Sequence, residues 1–269
     1  MTKCFLIIFI MAIACVHSPK QKATIFLIDV DNTLGSYIPF PNSDILNQLK
    51  ERNVTVVEHT YVVNAQEHRK EFGYYFGILQ DKSEKKRLKL KMLKDDCIEA
   101  TQFFALRPSI FDLISKILAS AGDHQKVKIF VASRGLDERI KSLIASIPYT
   151  YNGRLFRDCV HFVSRDFFRK STIVDGKDQG VKSVEKLVGH LEKEKWLDTN
   201  TESNFIAIDD GPPQNYQLRA NGRDFLAKVE PFYYYQLLDS SFIESDAKHL
   251  AEVYQAVTNF ISDKDAAKL

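Results

Sequence analysis

Three short runs of β-branched and apolar residues, each ending in a polar side chain, constrain this chain more than any other feature. Thr24 to Ile28 (TIFLI) delivers Asp29, Val127 to Ala132 (VKIFVA) delivers Ser133, and Phe205 to Ile208 (FIAI) delivers Asp209 and Asp210. Runs this short and this uniformly apolar read as strands buried on both faces, the mark of a parallel sheet. The second is followed by a helical pattern, Leu136 to Ile147, and the third by the turn Gly211-Pro212-Pro213. Ahead of the second, Pro108 to Ala121 sets Ile110, Phe111, Ile114, Ile117 and Leu118 at helical spacing, with Pro108 suited to the first turn and Gly122 to the end. Strands alternating with helices predict an α/β fold, a doubly wound three-layer parallel sheet. Ligands of such sheets sit beyond the carboxyl ends of the strands, where the three polar endings would converge.

Between Leu34 and Leu106 the alternation breaks down. Val54 to Val63 is strand-like, Tyr74 to Leu79 is aromatic, and Lys82 to Phe104 is a charged run that reads as helical. The expectation is a cap, about residues 36–105, inserted into a core of 22–35 and 106–269. Lys85 to Lys91 suits a solvated helix surface better than an anion-attracting face. Ser183 to Trp196 and Asp246 to Ile261 read as amphipathic helices, and Asn152-Gly153 as a turn. A length of 269 residues, 45% hydrophobic, accommodates one large core with an insertion. Lys plus Arg number 37 against 35 Asp plus Glu, a balance of +2, so no global charge argues for a nucleic-acid partner, and none is expected.

Met1 to Lys3 carry positive charge, Cys4 to Val16 are apolar, and Ala12-Ile13-Ala14 offers small residues to a signal peptidase. Residues 1–14 therefore read as a signal peptide, and the protein as exported, periplasmic or secreted. The run falls short of the roughly 20 residues that span a bilayer. A buried N-terminal strand is the other reading. Cys15 after Ala14 resembles a bacterial lipoprotein site, although Ala12 stands where such sites usually carry Leu; membrane association is expected only through lipid on Cys15. In an oxidising compartment Cys97 and Cys159 could pair. No CxxC or Cys/His cluster supports zinc.

The apolar strand followed by Asp29-Val30-Asp31-Asn32-Thr33-Leu34 resembles motif I of the haloacid dehalogenase (HAD) superfamily of phosphohydrolases. Val127 to Ser133 resembles its motif II, Lys182 at a helix start its motif III, and Phe205 to Asp210 the Asp-Asp form of its motif IV, in the family's order. The resemblance covers residues 24 to about 215 without the insertion. It implies a Mg²⁺-dependent phosphomonoester hydrolase in which Asp29 is the nucleophile and Asp31 the general acid and base. It also implies that Asp31 lends its backbone carbonyl to the metal.

The chemistry of the residues runs the same way. A carboxylate nucleophile splits phosphoester hydrolysis into two steps through an aspartyl phosphate. Two positions along a strand the side chain returns to the same face, so Asp31 is expected to reach the space of Asp29 and move a proton there. Carboxylates beside an anionic substrate call for a hard cation, and an all-oxygen site suits Mg²⁺. Asp209, directly after its strand, is the preferred further ligand, with Asp210 either binding the metal or orienting a ligand. The Ser133 hydroxyl can hold phosphoryl oxygens while a Lys offsets their charge. Lys182 is preferred for this, with Lys177 and Lys170 as rivals because Gly176 to Gly180 leaves the register open. Arg134 either contacts phosphate or pairs with Asp137 or Glu138. Asn215 reads better as a helix cap than as a partner of a metal ligand. Tyr233-Tyr234-Tyr235 and Tyr74-Tyr75-Phe76 read better as core than as pocket.

Arg154 to Cys159, with Leu106-Arg107-Pro108, is similar to the CTD-phosphatase-like branch of the superfamily. That nuclear branch does not suit an exported chain, so its substrate is not carried over. The size of the insertion favours a small phosphorylated substrate. A non-catalytic binding module on the same scaffold is the alternative from another class, and the presence of Asp31 argues against it. A phosphotransferase using the same intermediate is a third reading.

Overall fold

The run ahead of Asp29 forms β1 (Lys22–Asp29), the middle strand of a five-stranded sheet. A computed structural model describes residues 22–39, 41–64, 89–95, 97–120, 127–133, 135–164, 173–174, 177–178, 181–197, 202–220 and 222–262. The other predicted strands are β6 (Val127–Ala132) and β13 (Glu202–Asp209), which flank β1, both parallel to it. Outside them lie β9 (His161–Val163) and β15 (Arg223–Lys228), giving the order β15-β13-β1-β6-β9, parallel throughout. The chain builds from β1 to one edge and then crosses to the other. That leaves a crevice at the carboxyl end of β1.

Period-two alternation divides the sheet's side chains between two cores. Phe26, Ile28, Ile129, Val131, Ile206 and Ile208 pack with residues of α2 (Pro108–Ser120), α3 (Asp137–Ser146) and α5 (Ser240–Ser262). Ile25, Leu27, Phe130, Ala132, Phe205 and Ala207 pack with Val184, Leu187 and Leu191 of α4 (Val184–Lys193). Helices thus cover both faces, as the alternation predicts. The turn at Asn152-Gly153 joins β7 (Thr150–Tyr151) to β8 (Arg154–Leu155), with both turn residues at positive φ, 49° and 75°.

Where it is described, the insertion departs from its predicted helix, residues 82–88 of that run lying outside the described residues. It is an antiparallel sheet of β2 (Gly35–Ile38), β3 (Val56–Asn64), β4 (Lys89–Met92) and β5 (Cys97–Leu106), with α1 (Ser43–Glu51) between β2 and β3. One edge of β5 carries β3, and the other carries β4 and then β2. The charges between 89 and 104 suggested a helix, but from Cys97 to Thr101 burial alternates with period two. Leu90, Ile98 and Ala100 point inward and pack with Tyr61, Val63 and Leu136, while Lys91 and Met92 are exposed. Pairing to a long neighbour outweighs the helix propensity of the lysines. Val57, Phe104 and Leu106 join the main core, so this sheet is packed onto the parallel one. Gly35 lies so close to the Ala105 carbonyl and the Phe104 ring that a Cβ would clash with both.

Cys97 and Cys159 are both free, so the pairing allowed by an oxidising compartment does not occur. Residues 1–14, Cys15, Tyr74-Tyr75-Phe76, Arg134 and Lys170 lie outside the described residues. Among the described residues no helix is long and apolar enough to cross a membrane.

Candidate functional site

Asp29 is the last residue of β1, and the chain turns at once. Leu34 N–H donates to Val30 O at 3.1 Å, Asn32 N–H donates to Gly35 O at 2.8 Å, and Asn32 takes φ 59°, a left-handed conformation that Asn tolerates better than most residues. Asp31 therefore stands in a turn rather than in the strand, and the same-face argument for it does not hold. The turn nonetheless brings its carboxylate over β6, where Ser133 Oγ donates to Asp31 Oδ2 at 2.9 Å. Gly135 N–H donates to Ser133 Oγ at 2.9 Å, holding the hydroxyl in place just past the strand end.

Lys182 lies in the two-residue strand β12 (Lys182–Ser183), immediately ahead of α4, whose N-cap is Ser183. It is 5% exposed. Its Nζ donates to Asp29 Oδ1 at 2.8 Å and to Asp209 Oδ2 at 2.7 Å. Of the three lysines weighed from sequence, it is the one seen at the carboxylates. Lys177 falls in β11 (Lys177–Asp178), which pairs with β10 (Ile173–Val174), and its side chain lies outside the described residues.

Sequence reasoning missed Tyr216. It begins β14 (Tyr216–Gln217), which pairs in parallel with β12 so that Tyr216 lies opposite Lys182. Its hydroxyl donates to Asp209 Oδ2 at 2.6 Å and accepts from Lys182 Nζ at 3.2 Å. A turn of Pro and Gly followed by a buried aromatic was the sole signal. Asn215 ends a short 3-10 turn (Pro213–Asn215) and leads into β14, so it caps no helix. Tyr233 and Tyr235 are exposed, their rings parallel with centroids 5.4 Å apart, and do not belong to the core.

Asp29, Asp209 and Asp210 each bring one carboxylate oxygen within 4.8 Å of the others, a cluster that could hold a metal ion. The Asp31 carboxylate is not among them. Thr33, fully buried, accepts from Asp210 N–H at 3.0 Å and donates to Asp210 Oδ1 at 3.2 Å. Hydrogen bonds separate the two neighbouring aspartates. Asp209 Oδ2 already takes Lys182 and Tyr216, and its Oδ1 takes Gly211 N–H at 2.6 Å. Asp210 keeps Oδ2 open, which makes it the freer ligand of the pair.

Burial pushes the Asp29 carboxyl up to about 7, against the opposing pull of Lys182. Burial works against the Lys182 ammonium, but Asp29, Tyr216 and Asp209 outweigh it and hold the pKa above the ordinary lysine value. Burial also opposes the charge of Asp209, yet Lys182, Tyr216 and Gly211 keep its carboxyl below the usual range. Asp210 is raised by burial and by the charge of Asp209. The site is thus a buried lysine held between two carboxylates, with an open third carboxylate on one side and the Asp31–Ser133 pair on the other.

No family model matches the chain, and no curated protein matches it in sequence.

Proposed function

We propose that the protein is an exported, Mg²⁺-dependent phosphomonoester hydrolase of the haloacid dehalogenase type, acting on a small phosphorylated substrate through an aspartyl phosphate on Asp29. The observation that carries this reading is the meeting of Asp29, Asp31, Ser133 and Lys182 at the carboxyl ends of adjacent parallel strands, with Lys182 2.8 Å from Asp29 and Ser133 2.9 Å from Asp31. In the first step an Asp29 oxygen attacks phosphorus and the ester P–O bond breaks, while Asp31 gives a proton to the leaving oxygen. In the second, Asp31 takes a proton from water as that water attacks phosphorus, and the bond to Asp29 breaks. Ser133 donates to a phosphoryl oxygen, and Lys182 offsets the charge that gathers there. The all-oxygen cluster fits a hard cation, which Asp29, Asp209 and Asp210 would hold through one carboxylate oxygen each. When bound, Mg²⁺ would draw negative charge from the phosphoryl oxygens.

The test is release of inorganic phosphate from a broad panel of monoesters, with and without Mg²⁺, by protein lacking residues 1–14. Metal-dependent turnover is expected. None on any ester would overturn the reading, and phosphate passing to added glycerol would convert it into a transferase.

A pH dependence follows from Asp29. Its carboxyl, pushed up to about 7, is largely protonated below that pH in the metal-free protein, and a cation must displace the proton. Mg²⁺ is expected to bind about tenfold more tightly at pH 8 than at pH 6, with proton release at pH 6. Calorimetry in two buffers of different ionisation enthalpy measures both. Binding without proton release would remove Asp29 from the ligands.

A further inference from the structure

Lys182 is fully engaged before any substrate arrives. An ammonium has three N–H bonds and no lone pair. Those of Lys182 reach Asp29 Oδ1 at 2.8 Å, Asp209 Oδ2 at 2.7 Å and the Tyr216 hydroxyl oxygen at 3.2 Å. A phosphoryl oxygen can therefore be met only when one of these bonds is given up. The bond to Asp29 is the one beside the incoming phosphorus, and Asp29 sheds its negative charge as it bonds to phosphorus. The other two acceptors are tied to each other. The Tyr216 hydroxyl donates to Asp209 Oδ2 at 2.6 Å, so tyrosine, carboxylate and ammonium close a ring of hydrogen bonds. An ionised carboxylate only accepts and an ammonium only donates, which sets the hydroxyl proton on the Asp209 side and its lone pair on the lysine side.

Ring and backbone both hold that hydroxyl in place. Tyr216 is 7% exposed and packs with Val184, Leu187 and Ala207 in the core that α4 covers. Its strand pairs with that of Lys182, which makes the two residues register partners. The Lys182 Nζ also stands 5.1 Å from the centre of the Tyr216 ring, a cation over an aromatic face. Resting on the phosphatase reading, we infer that Tyr216 is a positioning residue: with Asp209 it anchors the Lys182 ammonium while the third N–H passes from Asp29 to a phosphoryl oxygen. That transfer unties the nucleophile and follows the negative charge as it moves onto the phosphoryl group. Without the hydroxyl, Lys182 has an N–H to spare. It can then meet a bound phosphoryl group while still holding Asp29, so binding survives and attack is hindered. A misplaced ammonium likewise costs more in the transition state, where the phosphoryl charge is greatest, than in the bound ground state.

Tyr216→Phe removes the hydroxyl and keeps the ring. With Mg²⁺ and phenyl phosphate it is expected to lower kcat by about ten- to a hundredfold, the worth of a hydrogen bond to a charged group, and to change KM by less than about threefold. Binding reads the same contrast without turnover. Orthovanadate, which can take the trigonal-bipyramidal geometry of phosphorus in transfer, should bind the variant about ten- to a hundredfold more weakly, and inorganic phosphate almost as before. Calorimetry gives both affinities, and its stoichiometry counts the folded sites. If Tyr216 only filled the core, the variant would have fewer folded sites, each with wild-type kcat and vanadate affinity, which overturns the inference. Equal losses for vanadate and phosphate overturn it too. If wild-type protein turns over no ester yet the vanadate contrast is present, the anchor stands and the hydrolase reading falls alone. If wild-type protein neither turns over an ester nor binds either anion, both fall.

Discussion

Asp29→Asn is expected to lower turnover by about 10⁴-fold or more and to leave no trapped phosphoenzyme, because it removes the attacking oxygen while keeping size and shape. Lys182 retains its 2.7 Å bond to Asp209 in this variant, so the buried ammonium is not stranded. Asp31→Asn is expected to cost less, about 10² to 10⁴, the usual worth of positioned proton transfer. An amide oxygen at position 31 can still accept from Ser133, and the backbone turn is unchanged. With an activated ester whose leaving group needs no proton, Asp31→Asn should form the aspartyl phosphate quickly and hydrolyse it slowly. Quenched-flow trapping of label from such an ester compares the two. Label on the Asp29→Asn protein, or Asp31→Asn acting on an alkyl phosphate as the wild type does, would reverse the roles.

The second large effect concerns stability. Arg107 has no exposed surface, and its Nε and Nη2 donate to Asp246 Oδ1 at 3.0 and 2.5 Å. Nη1 donates to Glu230 O at 3.1 Å, and the backbone N–H of Arg107 donates to Leu34 O at 3.1 Å. The pair thus ties the end of β5 to α5 and to the segment after β15. Phe232 of that segment donates its N–H to Asn32 O at 2.8 Å, buttressing the turn that carries Asp31. Asp246→Leu strands a guanidinium in the core and is expected to cost about 3–5 kcal/mol. Adding Arg107→Met should return most of the loss, since a well-packed apolar pair commonly does as well as a buried ion pair. Urea unfolding of the two variants decides it. A single-variant loss below about 1 kcal/mol would show that the pair is dispensable.

The parallel sheet and its polar endings were legible because each strand states its own case: an apolar run stops, and Asp29, Ser133 or Asp209 follows. Lys182 was legible as a helix opener. Its place opposite Tyr216 comes from the pairing of β12 with β14, which no local pattern reveals. The strand from Cys97 was misread because Lys-rich flanks raise helix propensity, whereas its pairing with β3 is a contact with residues more than thirty positions away. Tyr216 and the Arg107–Asp246 pair were illegible for the same reason. Each acts through a partner that the fold brings from elsewhere, and a lone Arg or Tyr on a helix or short strand carries no mark of it.

Gly35 pairs with Leu106, and Asn64 pairs with Cys97. The inserted sheet therefore departs from and returns to the core at one point, and Asn64 and Cys97 are likewise held side by side. A detour whose ends are already clamped side by side lengthens cheaply, at about 0.6 kcal/mol per doubling. The register of β3 on β5 is held by its own nine paired positions, Val56 with Ala105 to Asn64 with Cys97. Tyr37, α3 and the carboxylates behind them are thus positioned by strand register and not by the length of chain that joins β3 to β4.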